Sequence, residues 1–478
     1  MILNNHGSAS IVALLAASLW LARSAFADDA ATGTAGAGDD AANNGVAAQV
    51  YGNCDPAPGQ DHLVKLDDLR AALDQSGIKA FAVETAETLG NPSGGVRTGA
   101  IFEGRLQAGV CVSLGKTPLG WSNSYIYADA FQIHGRGLSG NDLHNLFTVS
   151  NIEASRATRL HDLYFEQGWF GDTASVRIGQ LAADDEFITS EYGNKFVNAM
   201  FGWPGLPSND LPGGGGPIYP LSTPGLRVRY GQNGDGWAVL AAVFNGNPAG
   251  PQTSGNMNPV PQLRDPDGLA FNFNSDVFAI AEAQYGPGQP TTYKLGAWYH
   301  SGKFADQRFD TGGLSLASPL SSGIPRTDVN DYSLYAVVDQ TISGDGDSGV
   351  AGFLRAMGAP ADRNLVSFYV DGGLNVFAPF AQKGDVAALG FAFGHVSSAV
   401  QSLDRDFATL AGTPRPVQDY EAAVELTYQR TVAAGLQLQP DFQYVIHPGG
   451  HAQDPTDPTG RTAINDAVVL GLRATVTF

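Results

Sequence analysis

AVVLGLRATVTF, residues 467–478, is the stretch whose reading decides the fold. Drawn as an extended strand, it puts Val468, Leu470, Leu472, Ala474, Val476 and Phe478 on one face. Gly471, Arg473, Thr475 and Thr477 fall on the other, where Val469 is the one apolar residue. A strand with one greasy side that closes on an aromatic suits a barrel whose outside touches lipid better than it suits a soluble sandwich.

Composition agrees with a barrel. The chain has 478 residues, 60 glycines, 27 prolines and only 15% charged residues, and beyond its leader it holds no run of about 20 apolar residues. Any contact with hydrocarbon must therefore be made by strands, because only helices and closed barrels satisfy their backbone groups there. The formal charge of −20 speaks against a nucleic-acid partner, which needs a basic surface, and makes anion transport a poor fit.

Residues 1–27 read as a secretory leader, an apolar run from Ile11 to Ala22 followed by Ala25-Phe26-Ala27. Residues 28–60, rich in Ala, Gly, Asp and Asn, read as a flexible linker. Over 61–78, Leu63, Leu66, Leu69 and Leu73 recur at helical spacing between an Asp61 cap and Gly77, predicting a short amphipathic helix at the periplasmic mouth or in the lumen. From 79 to 478 the period is two. Strands are expected at 79–88, 99–112, 124–135, 159–170, 173–183, 224–232, 236–245, 276–286, 291–300, 330–341, 350–358, 364–374, 386–396, 420–430, 435–446 and 466–478. Their number is even, as single-chain bacterial barrels require, and the fold class read here is a 16-stranded antiparallel transmembrane β-barrel.

Connection lengths support the count. If the first strand runs outward, Gly171-Asp172, Asn233-Gly234-Asp235, Gly286–Pro290 and Thr431–Ala434 are inner turns. The long Gly- and Pro-rich segments Asp184–Thr223, Gly246–Ser275, Ser301–Asn330, Ser397–Asp419 and His447–Asn465 are then outer loops. The segment around Pro360 is short for its assigned side, and the inner segments 113–123 and 375–385 are long for theirs.

Alternation also separates wet from lipid-facing positions. Arg227 and Arg229 alternate with Leu226, Val228 and Tyr230, and Glu103 and Arg105 oppose Phe102 and Leu106. A charge on the lipid face costs about 2–4 kcal/mol near the midplane, so these charges are expected in the lumen. Sugars want aromatic faces for the ring and ionised groups for the hydroxyls. The pore-lining candidates with that chemistry are Glu103, Arg105, Asp162, Tyr164, Glu166, Arg177, Arg227, Arg229 and Trp298.

Several ordered blocks resemble one known family. Leu163-Tyr164-Phe165-Glu166-Gln167, Val176 to Leu181, Asp185-Glu186-Phe187, Phe201-Gly202-Trp203-Pro204, Leu438 to Val445 with His447-Pro448-Gly449, and Val469 to Phe478 resemble the carbohydrate-selective outer-membrane porins, the OprB-like family. The resemblance implies passive diffusion of glucose and related monosaccharides across the bacterial outer membrane, with no cofactor and no enzymatic activity. A general or cation-preferring porin is the alternative that the acidic balance suggests. The expected partners are outer-membrane lipid, the sugars, and the barrel-assembly machinery, recognising the strand that ends at Phe478; the barrel is expected as a monomer or homotrimer.

In an oxidising compartment Cys54 and Cys111 are expected to pair, since both map to the periplasmic side. Gly346-Asp347-Ser348-Gly349 imitates a protease nucleophile motif but reads as turn chemistry, and Gly213–Gly216 lacks the lysine of a phosphate loop. His447 and His451 have metal-ligand spacing, but Pro448-Gly449-Gly450 prevents the helix that would use it, so both read as loop residues and no metal is expected.

Overall fold

Strand pairing runs without a break around the molecule. In the computed structural model, which describes residues 62–478 apart from 65, 172, 232–235, 255, 274–275 and 345–346, each strand is antiparallel to its sequence neighbour. The last strand, β16 (Asn465–Thr477), pairs with the first, β1 (Ile78–Gly95), in register Val83↔Thr477 to Gly90↔Leu470, and so closes a barrel of sixteen. Closure removes the free edges that could not survive in hydrocarbon. Between them lie β2 (Gly99–Ser113), β3 (Ser124–Gly135), β4 (Ala157–Trp169), β5 (Ala174–Leu181), β6 (Thr223–Gly231), β7 (Trp237–Asn245) and β8 (Val277–Tyr285). The second half comprises β9 (Thr291–Asp310), β10 (Pro325–Gly344), β11 (Gly349–Gly358), β12 (Val366–Phe377), β13 (Val386–Val396), β14 (Tyr420–Ala433) and β15 (Leu436–Ile446).

All sixteen expected strands are present, with two corrections of length. The segment 301–330 is not one loop: β9 and β10 run on as a hairpin to the pair Asp310↔Pro325, with register shifts at Pro325/Thr327 and Val329/Asp331. β1 continues to Gly95 because its extra length pairs with both β2 and β16. The outer segment 397–419 also contains a helix, α2 (Ser398–Thr409), before which Ser397 Oγ accepts from Val400 N at 3.4 Å. Arg308 of β9 fixes it through Asp406 at 2.9 Å.

Burial confirms which face meets lipid. On β6, Leu226, Val228 and Tyr230 are 37%, 42% and 67% exposed, whereas Arg227 and Arg229 are 2% and 6% exposed. Leu470 and Leu472 are exposed on β16, and the anomalous Val469 is buried inward against Leu89, Ile101, Leu138 and Val149. Exposed Trp169, Tyr230, Trp237, Tyr285 and Tyr293 sit at the inner ends of their strands, as an interfacial aromatic girdle should. One ionisable pair departs from the expected rule that such groups face the lumen. Glu84 of β1 and His134 of β3 lie on the outer face, with Oε1 and Nε2 3.6 Å apart, next to Gly104.

The N-terminal helix is shorter than expected. α1 spans Asp67–Gln75, starts after Leu66 with no side-chain cap, and leaves Leu69 exposed. It rests at the periplasmic rim, where Lys116 Nζ reaches Asp74 at 3.1 Å and Leu63 N donates to Thr477 O at 2.9 Å. Gly435, at φ +66°, completes this junction: a Cβ there would lie 2.2 Å from Leu63 N. The leader 1–27, the linker 28–60 with Cys54, and the cap residue Asp61 lie outside the described residues, as do Asp172 and residues 233–235 of the inner turns.

Candidate functional site

The lumen is occupied by its own outer loops. L2 (136–156) and above all L3 (182–222) turn back into the barrel, because their sequences carry Phe147, Phe187, Ile188, Phe196, Met200, Phe201 and Leu206, which bury against inward-facing Tyr164, Phe353 and Tyr369. Two glycines on β13 make room. A Cβ on Gly390 would stand 2.6 Å from Phe201 Cζ, and one on Gly394 2.6 Å from Phe147 Cζ.

A loop buried this way must satisfy its main chain. The wall does this. Glu282 accepts from Ile188 N at 3.0 Å, and Asp339 accepts from Ser190 Oγ at 2.5 Å and Glu191 N at 3.1 Å. Glu425 accepts from Val197 N at 2.7 Å and Asn198 N at 2.9 Å, while Glu421 accepts from Leu146 N at 2.7 Å and Phe147 N at 2.6 Å. Loop carbonyls are met by cations and amides. Lys294 Nζ donates to Thr189 O at 2.8 Å, Asn375 Nδ2 to Tyr192 O at 2.9 Å, and Arg355 to Ile188 O, Met200 O and Gly202 O at 3.0, 2.7 and 2.8 Å. Arg355 is itself neutralised by Asp371, with Nε to Oδ1 at 3.0 Å.

All nine residues expected to line the pore are on the inner face of the wall, but most are engaged with protein. Glu166, Arg177 and Arg227 come together with Glu186 of L3 in a closed ring of two guanidinium and two carboxylate groups: Arg177–Glu166 2.9 Å, Arg177–Glu186 3.3 Å, Arg227–Glu166 2.9 Å and Arg227–Glu186 2.7 Å. Tyr164 lies under Arg177, 4.1 Å from ring centroid to guanidinium carbon. Arg229 is buried two residues along from Arg227, and Asp162 is buried beside His161 and Asp129. Trp298 stands apart, packed on Phe278 at 6.1 Å. Glu103 is buried opposite Glu87, which pairs with Arg473 at 3.1 Å. Arg105 differs from the rest. It is only partly buried and lies over the rings of Phe131 and Tyr219, 5.0 and 5.1 Å from their centroids.

Above these residues a cavity of about 640 Å³ opens between L2, L3 and residues 260–262. It includes Tyr219, whose hydroxyl donates to Ile152 O at 2.9 Å. Two carboxylates give it a titratable character. Burial and the neighbouring Asp185 push Asp184 up to about 6. Burial also raises Glu153, although Leu138, Ser139 and Gly140 donate their N–H groups to it at 3.2, 3.1 and 3.3 Å.

Sequence reading missed the latch residues Arg355, Asp339 and Glu282. Their signal was available, a single charge alternating with apolar neighbours in an expected strand; what was hidden was the partner, a loop main chain more than ninety residues away in sequence. Cys111 is buried and disulfide-bonded.

The family model for carbohydrate-selective porins, OprB family, matches residues 97–478. The chain belongs to the OprB family. Porin B of Pseudomonas aeruginosa is 24% identical over 440 residues, covering 86% of this chain and 89% of that protein. The putative porin QuiX of Acinetobacter baylyi is 25% identical over 450 residues, covering 86% and 91%. Among solved structures, the high-pH structure of Pseudomonas putida OprB superposes with a TM-score of 0.75 at 22% identity, covering 88% of this chain and 99% of that one. This OprB-family barrel is an outer-membrane carbohydrate porin: its greasy face meets lipid, and its lumen carries sugar.

Proposed function

We propose that the channel passes glucose and related monosaccharides by passive diffusion, selecting them at Arg105, which lies against Tyr219 of the vestibule. The observation that carries this reading is the partly exposed Arg105 set between the Phe131 and Tyr219 rings, while Glu166, Arg177 and Arg227 are spent on one another and on Glu186. A guanidinium offers forked donors to ring hydroxyls, and the adjacent aromatics offer a surface to the C–H side of a pyranose. Glu103, Asp162, Tyr164, Arg229 and Trp298 would then support the wall and its loop rather than touch solute. Liposome swelling tests it: glucose should enter faster than a smaller polar solute that is not a sugar, and faster than a disaccharide. Rates ordered only by size would favour the second reading, a general porin, and the vestibule carboxylates Asp184 and Glu153 would then point to cation preference.

On the same reading the chain does no chemistry, the Cys111 disulfide is made with Cys54 and tethers the N-terminal segment near the periplasmic rim, and the amphipathic β16 with exposed Phe478 is what the assembly machinery recognises.

A further inference from the structure

We propose that the extracellular rim carries a binding site for one divalent first-row transition ion of the zinc or copper type, built from Asp419, His447 and His451. Asp419 lies where the outer loop 397–419 enters β14; the two histidines flank the turn that follows β15. One donor atom from each of the three lies within 4.8 Å of the other two. His447 Nδ1 is 2.9 Å from Asp419 Oδ1, and His451 Nδ1 is 3.8 Å from Oδ2. Ligands of an ion bound at about 2.0–2.2 Å stand roughly 3–3.4 Å apart, so side-chain rotation alone closes the set.

The backbone places these groups in an unusual way. His447 and His451 both occupy the left-handed region, at φ +53° and +69°, on either side of Pro448-Gly449-Gly450. Non-glycine residues rarely adopt that conformation, and here the two imidazoles stack at 4.2 Å and 14°. The i, i+4 pair thus converges without the helix that Pro448 forbids.

The surrounding bonds hold the set in place. His451 N donates to His447 O at 2.9 Å, Asp419 N to Gly450 O at 3.0 Å, and His447 N to Asp466 Oδ1 at 2.9 Å. Tyr420 N donates to Asp419 Oδ1 at 2.6 Å, and the Tyr420 ring packs on His447 at 4.5 Å. The turn beneath is pinned by Gly449 N donating to Glu421 Oε2 at 2.7 Å. His447 Nδ1 donates to Asp419 Oδ1 here; moving that proton to Nε2 as the ion binds leaves both imidazoles neutral, and the two Nδ1 lone pairs with one carboxylate then make a two-nitrogen, one-oxygen donor set. That set favours zinc and copper over the oxygen-seeking magnesium and calcium. All three side chains are partly exposed, which leaves the remaining coordination positions to water.

Isothermal titration of the full-length, tag-free porin in detergent with zinc chloride and with copper(II) chloride tests this. The expected result is saturable binding of one ion per chain, weakened at least tenfold by His447→Asn, His451→Asn and Asp419→Asn and unchanged by His134→Ala. Asn tolerates the left-handed backbone, so the histidine variants keep the turn, and the heat-dependent gel shift of the folded barrel confirms it. Absence of saturable binding, affinity that survives all three substitutions, or displacement of zinc by equimolar magnesium would overturn the proposal.

Discussion

Replacing Arg355 with leucine should widen the channel. Its guanidinium bonds the carbonyls of Ile188 and Gly202, two ends of one stretch of L3, and Met200 between them, so it acts as a clasp that closes the loop on itself as well as on the wall. Arg355→Leu leaves the fully buried Asp371 without its cation and the Ile188 and Gly202 carbonyls without the donor they share, while Met200 O keeps the Tyr369 hydroxyl at 3.3 Å. Breaking a buried pair by removing one partner costs about 3–5 kcal/mol. At 1.4 kcal/mol per decade, that shifts the balance between seated and unseated loop by roughly two to three and a half powers of ten. Other ties remain at Glu425, Asp339 and Lys294, so the barrel should assemble and the loop should fluctuate rather than leave. In planar bilayers the variant should show higher and noisier single-channel conductance, and liposomes should admit disaccharides that the parent excludes. The double variant Arg355→Leu/Asp371→Leu should regain thermal stability but keep the wide channel, because the carbonyls stay unmet. Unchanged conductance and size cut-off in Arg355→Leu would refute the view that this side chain sets the aperture.

Three further outcomes follow from the same geometry. Arg105→Ala should abolish block of ion current by glucose while leaving heat stability as it was, measured by current noise against sugar concentration. Asp184 is raised by burial and by Asp185, so it is neutral below and charged above a pH of about 6. The potassium-to-chloride permeability ratio should therefore rise between pH 5 and pH 7, and Asp184→Asn should flatten that step in reversal-potential measurements. Leu472→Arg puts a charge on an exposed lipid-facing position and should lower stability in urea titrations by up to about 2–4 kcal/mol, depending on its depth.

Period and connection length made the wall readable, since a one-residue slip would have turned Arg227 and Arg229 to lipid. Most inner turns were short and most outer loops long, and that contrast set the orientation despite exceptions such as the segments around Pro360 and 114–123. What strand alternation could not show was the filling of the lumen. L3 looks in sequence like any Gly- and Pro-rich loop, and its phenylalanines are spaced for no regular element. Its position depends on wall groups such as Glu425 and Arg355, whose partners are main-chain atoms and carry no sequence label. The outward pair of Glu84 and His134 was hidden for a related reason: each is an ordinary polar residue in its own strand, and only the register of β1, β2 and β3 joins them. The convergence of Asp419, His447 and His451 at the rim was not legible, because the i, i+4 spacing of the histidines was weighed only against a helix.

The groups that grip L3 are spread over β8, β9, β10, β11, β12 and β14, a long arc of the circumference. No two neighbouring strands could seat the loop alone, so it can settle only after most of the cylinder has curved around it. Filtering thus belongs to the curved wall as a whole, and no single hairpin cut from it would carry the sieve.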